Sequence, residues 1–231
     1  MGLFSLFKKK PEPAPAPAVR EVLFGDVPVL DWPRADSPVR TQGPWVLFAA
    51  AQAAYQRHDT AAATASLQQV LALPDLEPRH HLQAWHFLRM LGVQPSPTEA
   101  KRVLGVVVEV ALPEGLDLVA AYPNNSARYY NYSGAGVVWE QDVDLEGGPI
   151  QALLAAAQPV AAAIGPWLEA RPAAPPTGMV RLNILTPSGL HFGQGDMNVL
   201  FQEPLAAPVL ARAQALMQAL MAVSSTGKPN A

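Results

Sequence analysis

The order of periodicities along the chain predicts an α+β fold: an N-terminal αα-hairpin plus a third helix, then an antiparallel sheet in the order ββββαβββα with helices on one face. Three observations carry this. Apolar residues recur at three-and-four spacing between Trp45 and Met90, they alternate from Val103 onward, and Pro-, Gly- and Asn-rich turns punctuate the alternating stretches. With 231 residues, half of them hydrophobic and 15% charged, the chain has the material for a packed core and is too apolar to be disordered throughout.

In the helical part, Trp45, Phe48, Ala51, Gln52 and Tyr55 share a helix face. Asp59-Thr60 offers a cap for a second helix, finished by Leu67, Val70, Leu71 and Pro74. A third helix runs from about Pro78 through Leu82, Trp85 and Leu88 to Met90 and stops at Gly92. Ala51, Ala54 and Ala63 are small residues at close-packing positions, Leu67, Val70 and Leu71 are apolar, and His58-Asp59 forms the turn. In these residues Leu47 to Pro74 resembles one tetratricopeptide helix pair, with His58-Asp59 in place of the family's Gly-Asp turn and Pro74 one residue early. The resemblance implies protein recognition rather than catalysis.

Val103 to Leu112 reads as a strand with Leu104, Val106, Val108, Val110 and Leu112 on one face and Gly105, Val107, Glu109 and Ala111 on the other. Turns at Pro113-Glu114-Gly115, Pro123 to Ser126 and Gly134 to Gly136 lead into strands over Leu116–Tyr122, Ala127–Ser133 and Val137–Glu140. An alanine-rich helix follows from Ile150 to about Leu168. It is apolar enough to raise a membrane-spanning reading, but Gln151, Gln158 and Pro159 favour a covering helix. Strands over Met179–Leu185, Leu190–Gly193 and Met197–Gln202 and a helix over Leu205–Val223 complete the pattern. This element order is similar to profilin-type and roadblock-type folds.

The expected organisation is a disordered tail and Pro-Ala tether (1–20), an irregular segment packed on the body (21–42), a helical subdomain (43–92), an α+β domain (101–223) and a disordered C-terminus (224–231). Charge is unevenly placed. Lys8, Lys9, Lys10 and Arg20 against Glu12 give the first twenty residues +3, leaving twelve basic and eighteen acidic residues behind them, a charge of −6. An acidic body argues against nucleic acid as a partner. Leu3, Phe4, Leu6 and Phe7 directly before the three lysines have the composition of a short interfacial anchor for an anionic membrane surface, with a frayed solvated tail as the other reading. The order of charge and apolar residues is the reverse of a secretory signal, so a cytoplasmic location at the inner face of the membrane is expected. The spacer Pro11 to Ala18 spans roughly 25 Å at about 3.1 Å per residue as polyproline II.

Zero cysteines close off disulfides, thiolate chemistry and cysteine-ligated metals. Glu77 and His81 share a helix face, but His86 lies about 140° away, so no metal is expected there. Asp142, Asp144 and Glu146 before Gly147 start like a calcium loop, yet Leu153 stands where a bidentate glutamate is needed, which leaves a solvated acidic turn at a helix start. Gly193 to Asn198 reads as a hairpin rather than a dinucleotide loop. Ser188 lacks the upstream glycine of a nucleophile elbow, and His191 lies too close along the strand to act as its base. No catalytic residue and no cofactor are assigned.

The densest polar-aromatic stretch, Arg128 to Gly134, puts Arg128, Tyr130 and Tyr132 on one strand face. With Arg181, Asn183, Asn198 and Gln202 on polar faces of their own strands, these residues are the candidate partner- or ligand-binding surface. Ordinary cross-strand packing is the plainer account of the same residues. The sequence therefore leads to a non-enzymatic cytoplasmic adaptor or regulatory protein-binding module with peripheral membrane contact. The alternative is a small-ligand sensor or enzyme using the polar sheet face.

Overall fold

Backbone donors left over at helix starts set the boundaries of the N-terminal half. A computed structural model describes residues 19 to 225, with α1 at Trp45–Gln56, α2 at Thr60–Leu71 and α3 at Pro78–Met90. His58 adopts a left-handed φ of 60° and turns the chain, and the Asp59 carboxylate accepts the Ala62 N–H at 3.0 Å to start α2. Pro78, which has no N–H to leave unpaired, occupies the first position of α3, and Gly92 (φ 84°) follows its end. The short turn makes α1 and α2 the expected αα-hairpin, and Phe48, Ala51, Leu67 and Val70 are its buried stripe.

The sheet has six strands, all antiparallel: β1 (Gly105–Leu112), β2 (Gly115–Ala121), β3 (Ser126–Tyr130), β4 (Gly136–Glu140), β5 (Met179–Thr186) and β6 (Gly189–Asp196). Their spatial order is β4-β3-β2-β1-β5-β6, so β1 is central and pairs with both the second strand of the meander and the first strand of the later hairpin. Among the described residues the later α-helices are α4 (Pro149–Ala163), the single turn α5 (Met197–Leu200) and α6 (Ala206–Ser225), and short 3-10 turns lie at Val29–Asp31 and Pro38–Thr41.

Register divides the sheet into two faces. The row Leu182–Val108–Val119–Tyr129–Val137 turns toward α4 and α6, where it joins Leu153, Ala157, Val209 and Leu216 in one core. The next row, Gln194–Arg181–Glu109–Leu118–Tyr130, turns the other way. On that side Val107, Leu118, Ala120 and Tyr122 pack with Leu23, Phe48, Leu67, Trp85 and Leu88. The α+β class with an antiparallel sheet is thus what the chain adopts. The C-terminal helices cover one face as expected, and the N-terminal helices cover the other. Burial on both sides explains why β1 is apolar at Val106, Val107 and Val108 alike instead of alternating.

Four details differ from the sequence reading. Met197–Gln202 is not a seventh strand, because Asp196 accepts the Asn198 N–H at 2.8 Å and caps a helical turn. Gly193 and Gly195 lie inside β6 rather than in a hairpin, and a Cβ on Gly195 would press within 3.3 Å of Leu200 of that turn. The covering helix ends at Ala163, with Ile164 already extended, leaving residues 164–178 as an irregular connection. The apolar helix that is long enough to cross a bilayer is α6, not α4, and Val209, Leu210, Ala213, Leu216 and Leu220 on it belong to the core.

The polar half of the second row is closed by residues outside α1 to α6. Glu109, fully buried in β1, accepts Arg20 Nε at 2.5 Å, lies 3.6 Å from Arg181 Nη1 and accepts Asn183 Nδ2 at 3.0 Å. Arg20 Nη2 also donates to the Pro172 carbonyl at 2.9 Å, and Arg181 Nη1 to that of Ala173 at 2.6 Å. Removing one member of such a group strands the others' charge in a low dielectric. Glu109→Ala is therefore expected to lower the unfolding free energy by about 3–5 kcal/mol in urea denaturation, and a loss below about 1 kcal/mol would contradict the assigned role.

Candidate functional site

The residues singled out in the sequence fall into three places. Arg181 and Asn183 sit in the buried group around Glu109, where Gln194 Oε1 accepts Arg181 Nε and Nη2 at 2.9 and 2.6 Å, and the Val107 carbonyl accepts Asn183 Nδ2 at 2.9 Å. Arg128 and Tyr130 share that sheet face on β3, separated from them by β2 and β1. Arg128 is buried, pairs with Glu140 and lies 6.0 Å from the centre of the Tyr122 ring. Tyr130 lies across Gly136, where any Cβ would collide with its ring and come within 2.5 Å of the Tyr129 carbonyl. Tyr132 is exposed beyond the end of β3, and Asp117 Oδ1 accepts its N–H at 2.8 Å.

Asn198 and Gln202 are not on a strand face: both are exposed, on and just after the α5 turn. The membrane candidates Leu3, Phe4, Leu6, Phe7, Lys8, Lys9 and Lys10 lie outside the described residues.

Other constellations resolve into local structure. Glu77 pairs with Arg79 and lies 3.7 Å from His80 rather than meeting His81. His80 in turn packs edge-on against Trp45 at 4.8 Å between ring centres. Among the described residues no group of three or more His, Asp or Glu is placed to hold a metal ion. Asp144 accepts the Ile150 and Gln151 N–H groups at 3.1 and 2.9 Å, so the acidic turn satisfies the start of α4.

Ser188 and His191 meet across the β5–β6 turn, where the short spacing along the strand argues only against His191 acting as the base: Nε2 is 3.1 Å from Ser188 Oγ. The Ile164 carbonyl, 3.0 Å from Nδ1, can only accept, which places the proton on Nδ1 and leaves Nε2 to receive the Ser188 hydroxyl. Yet His191 is fully buried, and Ser188 Oγ also lies 2.9 Å from Thr186 Oγ1, which donates to Gly189 O. This network closes on the turn and fastens it to the residue after α4.

One concavity among the described residues brings together residues that are far apart in the sequence. A cleft of about 560 Å³ opens at the seam between the N-terminal segment, α3, the α4–β5 connection and the β5–β6 turn. Phe24, Leu82, Leu185 and Leu190 line its apolar side, with Trp167 and Leu168 contributed by the irregular connection. Its volume lies in the range of small-ligand and peptide-anchor sites. The seam is held from both sides. Gln83 exchanges two bonds with the backbone of Val27 (3.1 and 2.7 Å), and Gln52 Nε2 donates to the carbonyls of Val29 and Leu30 (3.0 and 2.8 Å).

Charges in the cleft are of two kinds. Arg171 is saturated: it donates to Asp26 Oδ2 and Glu21 Oε2, each at 2.6 Å, and lies 4.2 Å above the Phe24 ring. Burial opposes its charge, but the two carboxylates more than offset this and raise its pKa. Arg89, in the last turn of α3, donates Nη1 to the Pro187 carbonyl at 2.6 Å and pairs with no carboxylate among the described residues. Burial pushes its pKa down to about 10, only partly opposed by Asp26. His86 beside it is held below its ordinary value by burial first and by Arg89 second.

No family model, curated protein or solved structure matches this chain.

Four histidines, His80, His81, His86 and His191, have their pKa lowered, in every case chiefly by burial. A depressed histidine favours the neutral form in the folded state. Its stabilisation is therefore present above the unfolded value of about 6.5 and is lost as pH falls through the folded value. The urea midpoint is expected to be lower at pH 5 than at pH 7, with all four rings titrating below about 6.5 by NMR. Folded-state values above that would reverse the prediction.

Proposed function

We propose that the protein is a non-enzymatic adaptor or regulatory module that binds another protein through the cleft at the seam of its helical and sheet parts. One observation carries this reading: the cleft presents an exposed aliphatic and an exposed aromatic side chain, Leu168 at 90% and Trp167 at 40% exposure, beside an arginine without a carboxylate partner among the described residues. Tryptophan and arginine dominate binding energies at interfaces because they offer large contact area together with directed polar groups. The tetratricopeptide-like helix pair is consistent with recognition. A sensor or enzyme working on the polar sheet face is the weaker reading, because Arg20, Pro172 and Ala173 close over Arg181 and Asn183.

The test compares the full chain with its Leu168→Glu variant as bait in the native cell extract, read by quantitative mass spectrometry. A defined protein retained by the first and lost with the second is the expected result. Identical partner sets would remove the cleft from the proposal.

The proposed location is the cytoplasmic face of an anionic membrane, reached by Leu3, Phe4, Leu6 and Phe7 with Lys8, Lys9 and Lys10. Its support is compositional: a few apolar residues insert weakly, and each nearby lysine adds about 1 kcal/mol on an anionic surface. Co-sedimentation with phosphatidylserine vesicles, fading with salt and abolished when the three lysines become glutamates, is expected. Equal, negligible sedimentation with anionic and neutral vesicles would dismiss it.

A further inference from the structure

Arg89 is the anomaly in the cleft. Every other cation that lines it is matched: Arg171 has Asp26 and Glu21. Arg89 spends one donor on the Pro187 carbonyl and has no other hydrogen-bond acceptor among the described residues. Its place at the end of α3 gives it the favourable end of the helix dipole, worth roughly 0.3–1 kcal/mol where exposed, which is small against the cost of withdrawing a guanidinium from water. Burial lowers its pKa to about 10, a cost that Asp26 offsets only in part.

The surroundings specify what would compensate it. Gly189 forms the wall beside the guanidinium, where even a Cβ would stand 3.7 Å from Nε, so the planar edge of the group is not covered by a side chain there. Next to it Leu185 and Leu190 are apolar, and Trp167 stands edge-on to Phe192 at 5.2 Å between ring centres. Two carboxylates also line the cleft, Asp26 in its ion pair with Arg171 and the exposed Glu169, which penalises a doubly charged anion relative to a singly charged one. A guanidinium edge matches a carboxylate in a two-bond fork.

Resting on the reading of the cleft as the recognition site, we propose that it receives a carboxylate carried on an apolar or aromatic body, with Arg89 as the anion receptor and Trp167 packing against the body. Two sources share this chemistry: the C-terminal carboxylate of a partner chain and a free small carboxylic acid.

The experiment follows the Trp167 indole N–H and the Arg89 Nε–H signals of the full-length protein by NMR. The probes are N-acetyl-phenylalanine, its C-terminal amide, and a short peptide ending in phenylalanine with a free carboxylate. The acid is expected to move both signals and the amide to bind at least about tenfold more weakly, the loss of one charge-assisted pair. Arg89→Gln, which keeps a donor for Pro187, is expected to bring the acid to the amide's level with an unchanged melting temperature. The acid-against-amide comparison needs no variant, so the test survives if Arg89→Gln fails to fold.

A peptide much tighter than the small acid identifies a chain terminus as the source, and equal affinities identify a free acid. Equal binding of acid and amide, a preference that persists in Arg89→Gln, or no movement of the Trp167 signal overturns the proposal. A partner lost with Leu168→Glu but no carboxylate preference leaves the adaptor reading standing without this one. A carboxylate preference with no lost partner does the reverse.

Discussion

A carboxylate buried at the middle of the central strand imposes more on this structure than any other group. Glu109 has no access to water, so its charge must be answered within the protein. The answer comes from two directions: Arg181 from the neighbouring strand β5, and Arg20 from the segment that precedes α1. Because Arg20 also reaches the Pro172 carbonyl, the same group ties the start of the described chain to the connection between α4 and β5. The helical part is then held on its face of the sheet by polar bonds as well as by its apolar stripe. Gln83 and Gln52 repeat the device further along, each binding the backbone of residues 27 to 30 from a helix face.

The cleft is a consequence of this arrangement. Where the sheet face is apolar, at Leu118, Ala120 and Tyr122, side chains of the helices share one buried core with it. Toward β6 the face becomes polar, and irregular chain replaces regular helix: residues 21 to 28 on one side and 164 to 173 on the other. Irregular segments do not interdigitate as helices do, and the gap between them and the end of α3 is the cleft. The residues that fill its walls are accordingly of different origin, which is why Arg171 can be saturated by Glu21 and Asp26 while Arg89, on the helix, is not.

Ser188 and His191 illustrate how a catalytic geometry can be present without catalytic surroundings. The tautomer and the distance suit proton transfer, yet the imidazole is enclosed and the hydroxyl is shared with Thr186. What the pair does is close a two-residue turn and anchor it to Ile164, on the sheet face opposite the cleft. The neighbouring residues Thr186, Gly189 and Leu190 of that turn line the cleft, so its wall is positioned by the network behind it.

Local rules written in the amino-acid order determined the helices, most of the strands and the class of the fold. Asp59, Pro78 and Gly92 mark helix ends through backbone hydrogen bonding and φ alone, and Pro-Gly-Asn turns mark the strands of the meander, so no distant contact is needed to read them. Met197–Gln202 was legible only in part: its apolar residues fit a strand, while the Asp196 cap that makes it a turn of helix competes on equal local terms. The site was not legible, for a different physical reason. Arg89, Trp167 and Phe24 are far apart along the chain, and each is unremarkable in its own element. Their meeting depends on Glu109 drawing Arg20 onto the sheet and on the Pro172–Ala173 backbone closing over Arg181. Burial of a charge is a property of the assembled fold, and only the tertiary structure decides which arginine is paired and which is left facing a cleft.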